Sequence, residues 1–328
     1  MITGAGAYLA SKLRDVDAEL APTVPRVLGS TDDEAIHDMR VAIRRMRTVL
    51  KIARPLFTRF HSDAVRAGFT IVHRATGALR DEEVLEETLA AVDVADAAFV
   101  AWRQRRRARE RALRRAVLVR LRSGELDRAR ALLSAMVLLP VKPSREKDLT
   151  KYARRCVEDA RRQVEDLRDV PPSDVVGLHE LRIAYKHLRY TAEVLGEALP
   201  IDLAAMAKPA AQLQKRLGDL HDIDVAIVSV GRARGLTPVV RGRVLAALGQ
   251  IRAKKVTKYA DEMRGAPPPP PAQSAQSAQS AQSAQSAEGA EPPSAAPSLS
   301  PPTKPAKPVN KTIATPSAPR RSGKSPRS

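Results

Sequence analysis

Cysteine is almost missing: Cys156 is the only one in 328 residues. The chain can form no internal disulfide and no thiolate metal cluster, which suits a reducing, cytoplasmic setting. Aromatic residues make up 3%, with Trp102 the single tryptophan, too few for a surface that stacks unpaired bases. No run of 18 apolar residues occurs, so no membrane-spanning helix is expected. The opening MITGAGAYLASKLRD reaches Lys12, Arg14 and Asp15 too early for a secretory signal. Alternating apolar and polar runs flanked by turns are missing, so strand content should be close to nil. There is no glycine-rich phosphate loop, GxSxG or HExxH, so no enzymatic activity and no cofactor are expected. Acids are also scarce. Against 56 Lys+Arg stand 37 Asp+Glu, a formal charge of +19, which points to polyanionic partners.

What is present divides unevenly. Fifteen of the 25 prolines lie in residues 265–328, where PPPPP at 267–271 is followed by five AQS repeats and a Pro/Ala/Ser/Lys stretch ending RRSGKSPRS. With little apolar surface to bury, this tail is expected to be disordered. Residues 1–264 read as helix throughout, with apolar residues recurring at three and four. The breaks predict helices near 3–20, 32–53, 62–78, 82–122, 125–138, 146–168, 174–198, 203–217 and 222–262. The fourth should be split, and so should the last, by Gly231 to Pro238. Further breaks are expected at Gly77 and Gly218.

The block contains an internal repeat. HDMRVAIRRMRTV at 37–49 matches HELRIAYKHLRYT at 179–191 with four identities and five conservative pairs, and GALRDEEV at 77–84 matches GDLHDIDV at 218–225 with four identities. The displacements, 142 and 141 residues, agree. Residues 1–138 and 146–264 thus form two half-repeats, and a duplicated all-α bundle about a pseudo-twofold axis is the expected architecture.

Each copy carries two stripes on one helix. Ile36, Met39, Ile43, Met46 and Leu50, and in the second copy Leu178, Leu181, Tyr185 and Leu188, recur as a core face. One residue on, about 100° around the helix, run His37, Arg40, Arg44, Arg47 and Lys51, then His179, Arg182, Lys186 and Arg189. Those side chains are expected to stay off the core. A stripe of one sign is either a solvated face or a face that meets an anion or another helix's acids; solvated faces usually mix signs, and residues 40–54 hold six Arg/Lys and no acid. Cations spaced about 4.5–6 Å along the axis suit a chain of phosphates, which arginine grips with its two-pronged guanidinium. Residues 103–122 add ten arginines against Glu110 alone.

Other residues leave alternatives open. His37 and His179 are either structural or ligand contacts; neither has a second His or Cys three or four residues away, as a metal site would need. Asp81, Glu83, Asp222 and Asp224, expected in the first helical turn after a glycine break, either complement a helix dipole and pair with arginines or hold Mg²⁺ or Ca²⁺. His221-Asp222 is a weak hint of a metal-dependent phosphohydrolase.

The paired HDMRVAIRRMR and HELRIAYKHLR helices, with GALRDEEV and LGDLHDIDV, resemble the CHAD domain family, the "conserved histidine α-helical domain", over about residues 1–264. The resemblance implies two four-helix bundles with basic residues lining a central cavity, binding of inorganic polyphosphate and residence at polyphosphate granules. His37, Arg40, Arg44 and Arg47 match one copy of the family motif, and His179, Arg182, Lys186 and Arg189 the other. The alternating-glutamate ExExK signature of the CYTH domain that precedes many relatives is missing, so that hydrolytic activity is not expected. A nucleic-acid or nucleoid-binding protein is the competing expectation, on the histone-like tail composition.

Overall fold

The computed structural model describes residues 4–29, 34–139 and 147–265. Residues 1–272 pack as one compact unit; residues 273–328 fall in a second, all of it outside the described residues, so the disorder expected for the tail concerns residues not described beyond Gly265. The described chain runs α1 (Ala5–Leu20), α2 (Thr23–Gly29), α3 (Ala35–Ala53), α4 (Arg59–Ala75), α5 (Gly77–Ala90), α6 (Ala97–Arg122), α7 (Glu125–Leu138), α8 (Leu149–Glu165), α9 (Val175–Leu195), the short α10 (Ile201–Ala205), α11 (Ala207–Gly231) and α12 (Pro238–Gly265). No strand occurs among the described residues, and the fold is an all-α helical bundle.

The helix starts follow local chemistry. Asp96, Asp148 and Asp174 cap α6, α8 and α9, each carboxylate accepting backbone N–H bonds from the first turn. Pro238 opens α12, where its missing N–H costs nothing. Gly124, at φ +74°, turns the chain sharply from α6 into α7.

A shift of 141 or 142 residues carries α1 onto α8, α3 onto α9, the α4–α5 pair onto α11, and α6 onto α12; α7 has no counterpart among the described residues. Equivalent elements touch one another. Ala5 N–H donates to the Lys147 carbonyl at 3.0 Å, joining the starts of α1 and α8, while α3 packs on α9 and α5 on α11. Contact between equivalent elements is what a pseudo-twofold axis produces. One core is built mainly by the first copy, with Ile36, Met39, Ile43, Met46 and Leu50, and takes in Ala153 and Leu195 of the second. A second, within the other copy, includes Leu178, Leu181, Tyr185 and Leu188. A third joins the copies, with Leu85, Leu89, Phe99 and Trp102 against Ala226, Val230, Val240 and Val244.

Two expectations are corrected. Gly218 does not break its helix. It sits in the middle of α11, so Asp222 and Asp224 stand in a helix interior and not in a first turn. An interior glycine costs only about 1 kcal/mol, and burial of Leu213, Leu217 and Leu220 in the core that α11 shares with α9 and α12 carries the helix through. In the first copy the break does occur, one residue early. Thr76 stands where the second copy has Leu217, and its hydroxyl donates back to the His73 carbonyl at 2.9 Å, a local bond that competes with helix continuation. No acid lies in the first turn of α5 either.

Candidate anion-binding cavity

The stripes of α3 and α9 face each other across the axis. Between them, closed by α4, α5 and α11, lies a cavity of about 1140 Å³. Equivalent residues line it from both copies: Arg40 with Arg182, Arg44 with Lys186, His73 with Gln214, Arg80 with His221, Asp81 with Asp222, and Val84 with Val225. The cavity therefore lies on the pseudo-twofold axis. Gly218, which has no side chain to fill the space, is part of the wall.

Six of the nine stripe residues meet there: His37, Arg40, Arg44, Arg182, Lys186 and Arg189. The other three do not line it. Lys51 donates to His187 Nε2 at 3.1 Å, His179 packs its ring on His221 with the two Nδ1 atoms 3.2 Å apart, and Arg47 lies beside Arg66 and Arg74. Periodicity could not bring in His73, Arg80, Lys208 and Lys215, which reach the cavity from α4, α5 and α11. The repeat held a signal for one of them, since Arg80 occupies the place of His221 in the second motif pair. Eight Lys/Arg side chains line the cavity against Asp81, Asp219 and Asp222.

The cations differ in how they are held. Arg40, expected off the core, is 8% exposed. Its guanidinium donates to the His73 carbonyl at 3.2 Å and to Thr76 Oγ1, closing the end of α4. In the second copy Leu217, which has no hydroxyl to accept a bond, stands in the place of Thr76. The Nε of Arg182, the equivalent of Arg40, is buried with no hydrogen-bond partner among the described residues. The Nε atoms of Arg44 and Arg47 are in the same position, although Arg44 Nη1 also donates to Tyr190 Oη at 3.2 Å.

This crowding shifts titrations in one direction. Burial, followed by Arg44, Arg182, Arg47 and Arg40, pulls the Lys186 ammonium down to about 8. Burial and the Arg44 charge bring Arg40 to about 10. His73 and His221 fall to about 4, mainly through burial, with Arg40 and Arg182 respectively adding repulsion. Burial raises Asp222, against the pull of Arg182. Lys186, Arg40, His73 and His221 are thus all biased toward losing positive charge, as expected where buried cations exceed the anions that could compensate them.

The remaining acids have other partners. Asp224 accepts from Arg252 Nε at 2.6 Å, and Lys255 donates to Asp219 at 2.9 Å. Glu83 holds Arg114 at 3.1 Å. The arginine-rich α6 is substantially neutralised by α5: Glu86 binds Arg103 and Arg107, and Glu82 binds Arg106 and Arg109. The CHAD domain family model matches residues 8–230. The chain belongs to the CHAD domain family. The fold is similar to the crystal structure of the CHAD domain from the plant Ricinus communis, with 20% identity and a TM-score of 0.62 over 81% of this chain and 94% of that one. It is also similar to PptA from Streptomyces chartreusis, with 16% identity and a TM-score of 0.60 over 80% of this chain and 99% of that one. No curated protein matches this CHAD domain in sequence. No described helix is long and apolar enough to cross a membrane.

Proposed function

We propose that this CHAD domain binds inorganic polyphosphate in the axial cavity without hydrolysing it, and that it resides at polyphosphate granules. The observation that carries the proposal is the wall of eight Lys/Arg side chains, among which Arg44 and Arg182 hold buried donors without partners. A chain of phosphates supplies charge and acceptor oxygens at short, regular intervals, which meets both needs. Among the residues lining the cavity none is Phe, Tyr or Trp, so it offers no platform for nucleic-acid bases. Among the described residues no three His, Cys, Asp or Glu side chains gather as a metal-binding group, which favours binding over metal-assisted hydrolysis.

Titration calorimetry with polyphosphate and with duplex DNA, at matched phosphate concentration, tests the proposal. Polyphosphate should displace bound DNA. DNA that resists displacement would transfer the function to nucleic acid, and phosphate release in Mg²⁺ or Mn²⁺ would make the protein a hydrolase.

Affinity should also depend on pH through Lys186. The free protein loses this charge above about pH 8, whereas a bound polyanion holds the proton on. Binding above pH 8 therefore takes up a proton, and affinity from this group falls by up to about tenfold per pH unit. Lys186→Arg, which stays charged, should flatten the fall between pH 8 and 10. An unchanged slope in that variant would place Lys186 outside the contact.

A further inference from the structure

The two copies treat the outer end of the stripe differently. In the second copy Arg189 is neutralised: its Nε donates to Glu193 at 2.6 Å and its Nη1 to Gln214 at 3.4 Å. In the first copy the equivalent Arg47 has a buried Nε with no partner among the described residues, and Lys51 stands where the second copy has Glu193. On α4, which packs against α3, Arg66 and Arg74 lie near enough to depress the Arg47 guanidinium, after burial, and Arg66 does the same to Lys51. The place equivalent to Arg66 is Ala207 in the second copy. His73 joins the two regions, since it lines the cavity and feels both Arg40 and Arg47. The one acid of α4, Asp63, is gripped by two nitrogens of Arg54 at 2.8 Å each.

We infer that a polyphosphate chain leaves the cavity on one side only, along a cationic track of Arg47, Arg74, Arg66 and Lys51 on α3 and α4, and that this track makes the protein prefer long chains. The inference rests on the polyphosphate reading of the cavity. Arg40 and Lys51 are about 16 Å apart along α3, more than a tripolyphosphate spans. A short chain therefore fills the cavity alone, while a long one adds the track as a tethered second site at high effective concentration. On the opposite side the equivalents of Arg47 and Arg74, Arg189 and Lys215, line the cavity itself, and Arg189 is held by Glu193. Glu193 and Ala207 stand in place of Lys51 and Arg66, so the row of cations does not continue outward there.

The test is titration of the full chain with tripolyphosphate and with long-chain polyphosphate. Arg66→Ser/Arg74→Ser, at half-buried and exposed positions, should weaken long-chain binding by about tenfold or more and tripolyphosphate binding by less than about twofold. Glu193→Lys, which supplies the missing cation on the second side and also releases Arg189 in the cavity, should strengthen long-chain binding more than tripolyphosphate binding. Equal losses for both lengths, or none for the long chain, would overturn the track while leaving the cavity proposal in place. Wild-type protein that binds neither probe would overturn the cavity proposal, and the track with it.

Discussion

Replacing Arg182 by alanine and Lys186 by methionine together should cost about 100-fold or more in polyphosphate affinity without unfolding the protein. Each charge-assisted contact contributes about 1.5–3 kcal/mol before salt screening, and 1.4 kcal/mol is about tenfold in a dissociation constant. The folded protein gives up little, because Arg182 Nε has no partner among the described residues and Lys186 is a half-buried ammonium among four arginines. Methionine keeps most of the lysine's volume and removes the desolvated charge, so Lys186→Met should raise stability by about 1–3 kcal/mol near pH 7. The pH dependence has a definite sign. Between about 8 and 10.5 the unfolded chain holds a proton on Lys186 that the folded chain has lost. In that window wild-type stability gains from rising pH, and the advantage of methionine should shrink to nothing by its upper end. Thermal melts at pH 7 and pH 10 read this directly. An affinity within threefold of wild type would remove both residues from the site; that threshold is about 0.7 kcal/mol.

Arg40→Ala should behave in the opposite way, although Arg40 is the repeat equivalent of Arg182. Its guanidinium closes the end of α4 through the His73 carbonyl and Thr76 Oγ1, and it is buried. Removing it deletes both bonds and opens a void at the α4–α5 break, at an expected cost of about 1–3 kcal/mol. The melting temperature should fall by about 2–4 °C for each kcal/mol, while Arg182→Ala should hardly move it. Equal melting shifts for the two variants would show that the Thr76 break needs no closure. The triplet Arg40, Arg44 and Arg47 therefore cannot be exchanged as one functional unit: the first lines the cavity but also clasps a helix end, the second lines the cavity without that clasp and the third does not line it.

Much of this molecule could be read along the chain. Helices follow from residues whose periodicity is local, so Ile36 to Leu50 identify a buried face before any partner is known. The pairing of HDMRVAIRRMR with HELRIAYKHLR already implies an axis, and a basic stripe on each copy implies that cations gather near it. What stripe residues do there depends on contacts that no local pattern encodes. Gly77 and Gly218 occupy the same place in the repeat, yet one follows a helix break and the other lies inside a helix, because Thr76 bonds back to its own backbone while Leu217 is buried in the core of its copy. The arginines of residues 103–122 look like a free basic surface until α5 brings Glu82 and Glu86 beside them. Arg80, Lys208 and Lys215 join the cavity from helices whose sequence shows no comparable stripe. Charge content and helical period are properties of the sequence itself; whether a given charge is paired, clasped to a helix end or left facing a cavity is decided by which helix packs opposite it, and only the tertiary structure supplies that.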